Sequence, residues 1–173
     1  MVRVVAKVLV VFSLLAGLGA CYQTHSVVIP PERAQAIPGA EGNWVAADGS
    51  APDVLTVAAK PGTNDYLVSS NSPDAQGEIL TARGYPLQDG VYAVQVVNES
   101  ALDEGVLLVF LRIDGDTLAV VTPGDDSALA AETGATLGQD GLLDGSVEAM
   151  QAFIDAHQGA AFGEAIPLLK RAP

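Results

Sequence analysis

Short apolar runs separated by turn-forming residues characterise the chain from residue 42 to residue 122. Runs of this length, broken by Gly, Pro, Asn and Asp, are typical of antiparallel β-sheets. They predict seven strands, at 42–47, 54–59, 66–69, 77–82, 91–97, 105–113 and 117–122. The tripeptide Asp114-Gly115-Asp116 lies between two of these runs and predicts a tight hairpin.

A helical pattern replaces the strand pattern after residue 123. One amphipathic helix is predicted over 146–158, with Ser146 as its N-cap and Gly159 after its last turn. Its apolar stripe consists of Val147, Met150, Phe153, Ile154 and His157. A shorter helix is predicted at 125–132 and a closing strand at 162–169. We therefore predict a mainly β fold, an antiparallel meander that forms a partial or closed small barrel, with the C-terminal α-helix packed on it.

A different pattern opens the chain. Arg3 and Lys7 precede an apolar run at 8–15, and small residues follow that run. This order of charge, apolar run and small residues is typical of a secretory signal. The run is shorter than the ~20 apolar residues that a membrane span needs. We therefore predict a signal peptide over residues 1–20.

The sequence Leu18-Gly19-Ala20-Cys21 resembles the bacterial lipobox, in which a leucine and two small residues precede an acylated cysteine. The resemblance implies cleavage before Cys21, lipidation of this single cysteine, and attachment to the bacterial cell envelope. More than one acyl chain gives stable attachment to a membrane. Tyr22, and not Asp, follows the cysteine, which in enteric-type sorting implies the outer membrane, facing the periplasm. An ordinary signal peptide followed by an unmodified cysteine is the alternative.

Residues 21–41 contain Pro30, Pro31 and Pro38 and predict a tether between the acylated cysteine and the domain. The apolar run at 27–29 leaves open that part of this segment docks on the domain. Residues 42–173 then form a single β-rich domain with the C-terminal helix, which is an ordinary size for one domain.

The chain is strongly acidic, with 21 Asp and Glu against 8 Lys and Arg and a formal net charge of −13. Phosphate contacts are made by Lys and Arg, so this composition argues against a nucleic-acid partner. It also predicts repulsion from anionic lipid, so membrane association depends on the acyl chains. The acidic residues are scattered, and they serve solubility or favour a cationic partner.

The triplet Gly42-Asn43-Trp44 resembles the Gly-x-Trp motif on the first strand of lipocalins and other calycins. That resemblance implies a small antiparallel barrel whose tryptophan closes one end beneath a basic side chain from a late strand, here Lys170 or Arg171. An ordinary core tryptophan at the start of a strand explains the triplet as well. The order of lipobox, Gly-x-Trp, meander and helix also resembles a loose class of small uncharacterised bacterial lipoproteins without an established activity.

Candidate catalytic and metal-binding groups are few. His25 and His157 are the only histidines, which is too few for a histidine-rich metal site and unpromising for a Ser-His-Asp site. The acidic pairs at 114–116 and 125–126 do not have the spacing of a helix-loop-helix calcium loop, and turn chemistry explains them more simply. We therefore expect no enzymatic activity, no cofactor and no metal.

These observations lead us to expect a non-enzymatic, lipid-anchored envelope lipoprotein that binds an apolar small molecule or lipid. The residues expected at its ligand site are Trp44, Tyr92, Val94, Val96 and Phe110. The alternative is an accessory or inhibitor protein that docks on another envelope protein through its acidic surface or a sheet edge. A ligand site is expected to need roughly 300 Å³ or more, whereas a barrel filled by its own side chains favours the alternative.

Overall fold

The structure, a computed structural model, describes residues 21–50, 53–75, 77–124 and 126–173. Its strands are β1 (Cys21–Thr24), β2 (Gly42–Ala46), β3 (Leu55–Ala59), β4 (Tyr66–Ser70), β5 (Ile79–Pro86), β6 (Val91–Val97), β7 (Val106–Asp114), β8 (Thr117–Pro123), β9 (Thr136–Leu137), β10 (Leu143–Asp144) and β11 (Phe162–Arg171). Its α-helices are α1 (Asp126–Thr133) and α2 (Val147–Ala156), and 3-10 turns lie at Pro31–Arg33, Pro73–Ala75, Leu102–Glu104 and His157–Gly159. The signal peptide predicted at 1–20 lies outside the described residues.

Eight of the strands close into an antiparallel barrel. Their order is β7-β6-β5-β4-β3-β2-β11-β8, and β8 pairs back onto β7. The predicted strands correspond to β2 through β8 and to β11. The predicted hairpin is present, because Asp114 pairs with Thr117 across a two-residue turn. The predicted mainly β fold is thus confirmed, and the barrel is closed. Outside it, β9 and β10 pair as a separate two-stranded sheet.

The two central strands of the sequence, β6 and β7, are buried on both of their faces. Alternate side chains of a strand point to opposite sides. Val94 and Val109 therefore belong to the interior core of the barrel, whereas Ala93 and Phe110 belong to a second core on its outer surface. This double burial explains why both strands read as nearly continuous apolar runs.

Helix α2 covers this second core, and its packing is as predicted. The Ser146 side chain caps the helix by accepting a hydrogen bond of 3.1 Å from the backbone N–H of Ala149. Its buried stripe consists of Met150, Phe153, Ile154 and His157, each at most 1 % exposed. Burial of one large apolar side chain contributes about 1.5–3 kcal/mol, so this stripe fixes the helix on the barrel.

The segment 21–41, expected as a tether, is part of the domain. Strand β1 pairs with the first half of β7, on the same edge that β8 uses further along. Tyr22 is 2 % exposed. The Gln95 side-chain oxygen accepts backbone hydrogen bonds from Val28 at 2.7 Å and from Ile29 at 2.9 Å. Val28 and Ile29 are buried, so the segment predicted as a tether packs on the domain through the apolar run at 27–29, the possibility that the sequence left open.

The strand directions distinguish the two ends of the barrel. The β3–β4, β5–β6 and β7–β8 turns and the last residue of β11 lie at the same end as the start of β2. Residues 34–41, which we call the covering segment, lead into β2 at this end, and three of them, Ala34, Ile37 and Ala40, are buried. We call this the covered end, and the other the opposite end.

Candidate functional site: the barrel cavity

An apolar cavity of about 80 Å³ lies inside the barrel, toward the covered end. Every barrel strand except β2 contributes to its lining, which consists of Ala, Val, Leu, Ile and Tyr side chains. None of the described residues that line it carries a charge. A dry apolar cavity of about 150 Å³ holds benzene. The barrel cavity is therefore suited to a small or slender apolar group, and it is well below the roughly 300 Å³ of a site for a drug-sized ligand.

Two lining residues, Ile37 and Ala40, come from outside the strands. Both belong to the segment 34–41 and are 8 % and 7 % exposed. Ile37 also packs with the interior core. The segment therefore closes the cavity at the covered end with its own side chains.

Tyr66 and Gly84 hold Ile37 in place. The Tyr66 hydroxyl accepts a hydrogen bond of 2.7 Å from the Ile37 N–H and lies 3.3 Å from the Ile37 carbonyl, to which it donates. A Cβ added to Gly84 would collide with the end of the Ile37 side chain. The backbone of Gln35 also pairs with Gly84, with an N–H to carbonyl distance of 2.8 Å. Because residue 84 is a glycine, the Ile37 side chain can occupy the space that a side chain there would fill.

Arg171 fastens the rest of the segment to the last strand. Its guanidinium carbon lies 4.3 Å from the ring centroid of Trp44. Its two terminal nitrogens donate to the carbonyl of Glu41 and, at 2.6 Å, to that of Gly39. The indole N–H of Trp44 in turn donates to the Ala40 carbonyl at 2.9 Å. Arg171 and Trp44 together therefore donate hydrogen bonds to the backbone carbonyls of three consecutive residues of the covering segment.

The Gly-x-Trp triplet has a direct structural reason in this arrangement. Gly42 has φ +135°, which L side chains rarely adopt, and a Cβ there would collide with the Arg171 guanidinium. Trp44 is fully buried. Of the two basic residues considered for the position above the indole, Arg171 occupies it and Lys170 is exposed.

The residues predicted at the ligand site fall into two groups. Tyr92, Val94 and Val96 on β6 line the cavity. Trp44 does not line it, because the indole lies under Arg171 beside the covering segment. Phe110 is on the opposite face of β7, packed in the second core against α2. The apolar run of β7 is buried on both faces, so alternation in the sequence could not distinguish which face pointed inward.

Sequence reasoning missed Ile37, Tyr66 and Gly84 as parts of the site. Ile37 lies between two prolines in a segment with no strand or helix periodicity. Gly84 lies inside β5, where an isolated glycine indicates close approach of other groups. That glycine was the one available signal.

Cys21, the predicted lipidation site, is the first residue of β1 and pairs with Val109. Its thiol is half-buried against the interior core, and this desolvation raises its pKa to about 12. An unmodified thiol here stays protonated at neutral pH, and the thiolate is the form that reacts.

His157 is enclosed in the second core. It is 0 % exposed, and its ring centroid lies 4.7 Å from that of Phe110, with the two rings tilted by 34°. Its Nδ1 lies 2.7 Å from the Phe153 carbonyl, and its Nε2 lies 3.5 Å from a carboxylate oxygen of Asp126. The Tyr22 hydroxyl donates to the other oxygen of Asp126. This geometry supports a packed histidine that joins β1, α1 and α2.

Two further observations concern the described residues as a whole. Among the described residues, no group of three or more His, Cys, Asp or Glu side chains is arranged to hold a metal ion. The same part of the chain contains no helix that is both long and apolar enough to cross a membrane.

Comparisons of the chain with protein-family models, with curated proteins and with solved structures gave no match.

Proposed function

We propose that this protein is a non-enzymatic, lipid-anchored envelope lipoprotein whose barrel binds a small apolar molecule or a lipid chain. The observation that carries the proposal is the cavity, which is enclosed by the barrel and lined only by aliphatic and tyrosine side chains. Removal of apolar surface from water drives binding at about 25 cal/mol per Å². A lining without charged groups favours uncharged ligands, because an unpaired charge is costly to bury.

The resemblance to calycins gains support from the covered end. The motif tryptophan lies on the first barrel strand beneath a cation from the last one, as that resemblance implies. The covering segment is fixed at this end by hydrogen bonds from Arg171, Trp44 and Tyr66.

The lipid anchor is the second part of the proposal. It rests on the lipobox-like sequence before Cys21 and on the net charge of −13. A chain with this charge is repelled by anionic lipid, so its association with a membrane would need an anchor. Since Tyr22 is already buried in the domain, acyl chains on Cys21 would hold the barrel close to the bilayer. Replacing Cys21 with Ala should release the protein from the membrane fraction. Retention of that variant at the wild-type level would contradict the anchor.

Native mass spectrometry tests ligand binding. Residues 21–173 contain both cores and the whole barrel, and they can be produced without the signal peptide and acyl chains. After exposure to an envelope lipid extract, we expect a reproducible mass above that of the apoprotein, lost on extraction with organic solvent. A clean apoprotein mass after exposure would contradict the proposal.

An accessory or inhibitor role is the second candidate, and two observations favour it. The cavity is small for a ligand carrier. In addition, Ile79 and Leu102, at 59 % and 51 % exposed, both lie at the opposite end of the barrel, where they would suit a protein partner. Salt-sensitive capture of a basic envelope protein, lost when both residues are changed to Asn, would support this role in place of ligand carriage.

A further inference from the structure

The cavity, its covering segment and Gly84 together indicate what kind of ligand fits and what limits its size. We propose that the barrel cavity takes the end of a single unbranched alkyl chain, and that Ile37 is the residue that sets how long a chain is accepted. This inference rests on the proposed function and specifies its ligand.

The volume argues for a chain and against a ring. The cavity measures about 80 Å³, roughly half of the volume that holds benzene. An extended alkyl chain is slender, and it can occupy a narrow space with one end while its polar group remains outside. The lining offers no charged or amide side chain that would hold a polar group inside.

The position of Ile37 argues that it is the floor of the cavity. It lines the cavity from the covered end, and it belongs to the covering segment and not to a strand. The barrel strands cannot retract without breaking their ladders. The Ile37 side chain, by contrast, occupies the space left by Gly84, and its backbone is held by the Tyr66 hydroxyl and by the Ala40 N–H, not by a strand ladder. An alkyl chain that reaches the covered end of the cavity is therefore stopped by this side chain.

A series of straight-chain 1-alkanols, from butanol to dodecanol, tests the inference by isothermal titration calorimetry on residues 21–173. Each buried methylene should increase affinity about fourfold, which corresponds to ~0.8 kcal/mol. The increase should end at one chain length, beyond which added carbons remain outside and affinity is constant. Cyclohexanol should bind more weakly than hexanol.

Ile37→Ala should move this break to longer chains, because the shortened side chain opens space next to Gly84. The matched control is Ile79→Ala, which makes the same change at an exposed position and should leave the break unchanged. If Ile37→Ala does not fold, as judged by circular dichroism, Ile37→Val should move the break in the same direction by a smaller amount.

The outcomes separate this inference from the proposed function. A shifted break in the Ile37 variants alone supports both. Wild-type affinity that rises to a break, with the same break in every Ile37 variant, overturns the role of Ile37 and leaves ligand binding in place. Equal affinity for rings and chains overturns the alkyl ligand class. No binding of any alkanol by the wild-type protein overturns the inference and also counts against the proposed function.

Discussion

Arg171 is the residue on which the closure of the covered end depends most. It is the last residue of β11, and it combines contact with the Trp44 ring with donation to the carbonyls of Gly39 and Glu41. A planar guanidinium can stack on an aromatic ring and donate in its own plane at the same time, which an ammonium group cannot do. This geometry explains why an arginine occupies the position.

Arg171→Ala should therefore lower the free energy of unfolding by about 2 kcal/mol, since it removes the cation–π contact and leaves two carbonyls without their charged donor. Urea denaturation of residues 21–173 measures this change. Lys170→Ala is the matched control, because it removes an adjacent but exposed cation; it should change stability by less than about 0.5 kcal/mol. Equal effects of the two variants would show that Arg171 acts only through its charge.

Cys21 provides a prediction about pH. Burial raises the pKa of its thiol from an ordinary value of 9.0 to about 12. Because the folded state holds this proton more tightly than the unfolded state, the group's contribution to stability is complete below pH 9 and is lost as pH rises toward 12.

For the unacylated protein, alkylation of Cys21 by iodoacetamide at pH 8 should be at least about 100-fold slower in the folded state than in denaturant. The folded-state rate should increase with pH up to about 12, where the protein also becomes less stable. Mass spectrometry of the alkylated product follows both states. Equal rates in buffer and in denaturant would contradict the burial of the thiol.

At the scale of elements, the sequence predicted those whose evidence is local. Strands β2 to β8 were marked by apolar runs and turn residues, and α2 by its spacing and its cap at Ser146. Strand β1 was not predicted, because four residues that pair with the distant β7 carry no periodicity of their own. Phe110 was expected in the cavity because the sequence does not show which face of β7 points into the barrel. That depends on where α2 packs, which is a tertiary contact.

The role of β1 as part of the domain can be measured through Tyr22. This side chain is buried between the Phe110 and Phe153 rings, with centroid distances of 5.8 Å to each. Tyr22→Ala should destabilise the protein by about 3 kcal/mol, because it leaves a cavity in the second core. Gln23→Ala, an exposed position on the same strand, should change stability by less than about 0.5 kcal/mol. Similar unfolding midpoints for the two variants in urea would contradict the packing of β1.

The whole molecule has two unlike ends. At the covered end, residues 34–41 are fixed by Arg171 and Tyr66 and close the cavity. The opposite end carries the exposed Ile79 and Leu102. The opposite end therefore presents apolar surface that a protein partner could contact. The Gly-x-Trp resemblance predicted that one end is closed by Trp44 beneath a cation, but the part played by residues 34–41 could not be predicted, because it depends on contacts with β4 and β5 that are distant in the sequence.

If the barrel cavity is the ligand site, filling it with a larger side chain should weaken binding. Ala82 lines the cavity, and Ala58 is exposed on β3, so the same change to Leu fills the cavity in one variant and leaves it intact in the other. Both variants, shown to be folded by circular dichroism, would be titrated with decanol by calorimetry beside the wild-type protein. The account predicts that Ala82→Leu lowers affinity at least about tenfold, by excluding buried methylenes, while Ala58→Leu binds like the wild type. Undiminished binding by folded Ala82→Leu would place the ligand outside the barrel and contradict the account.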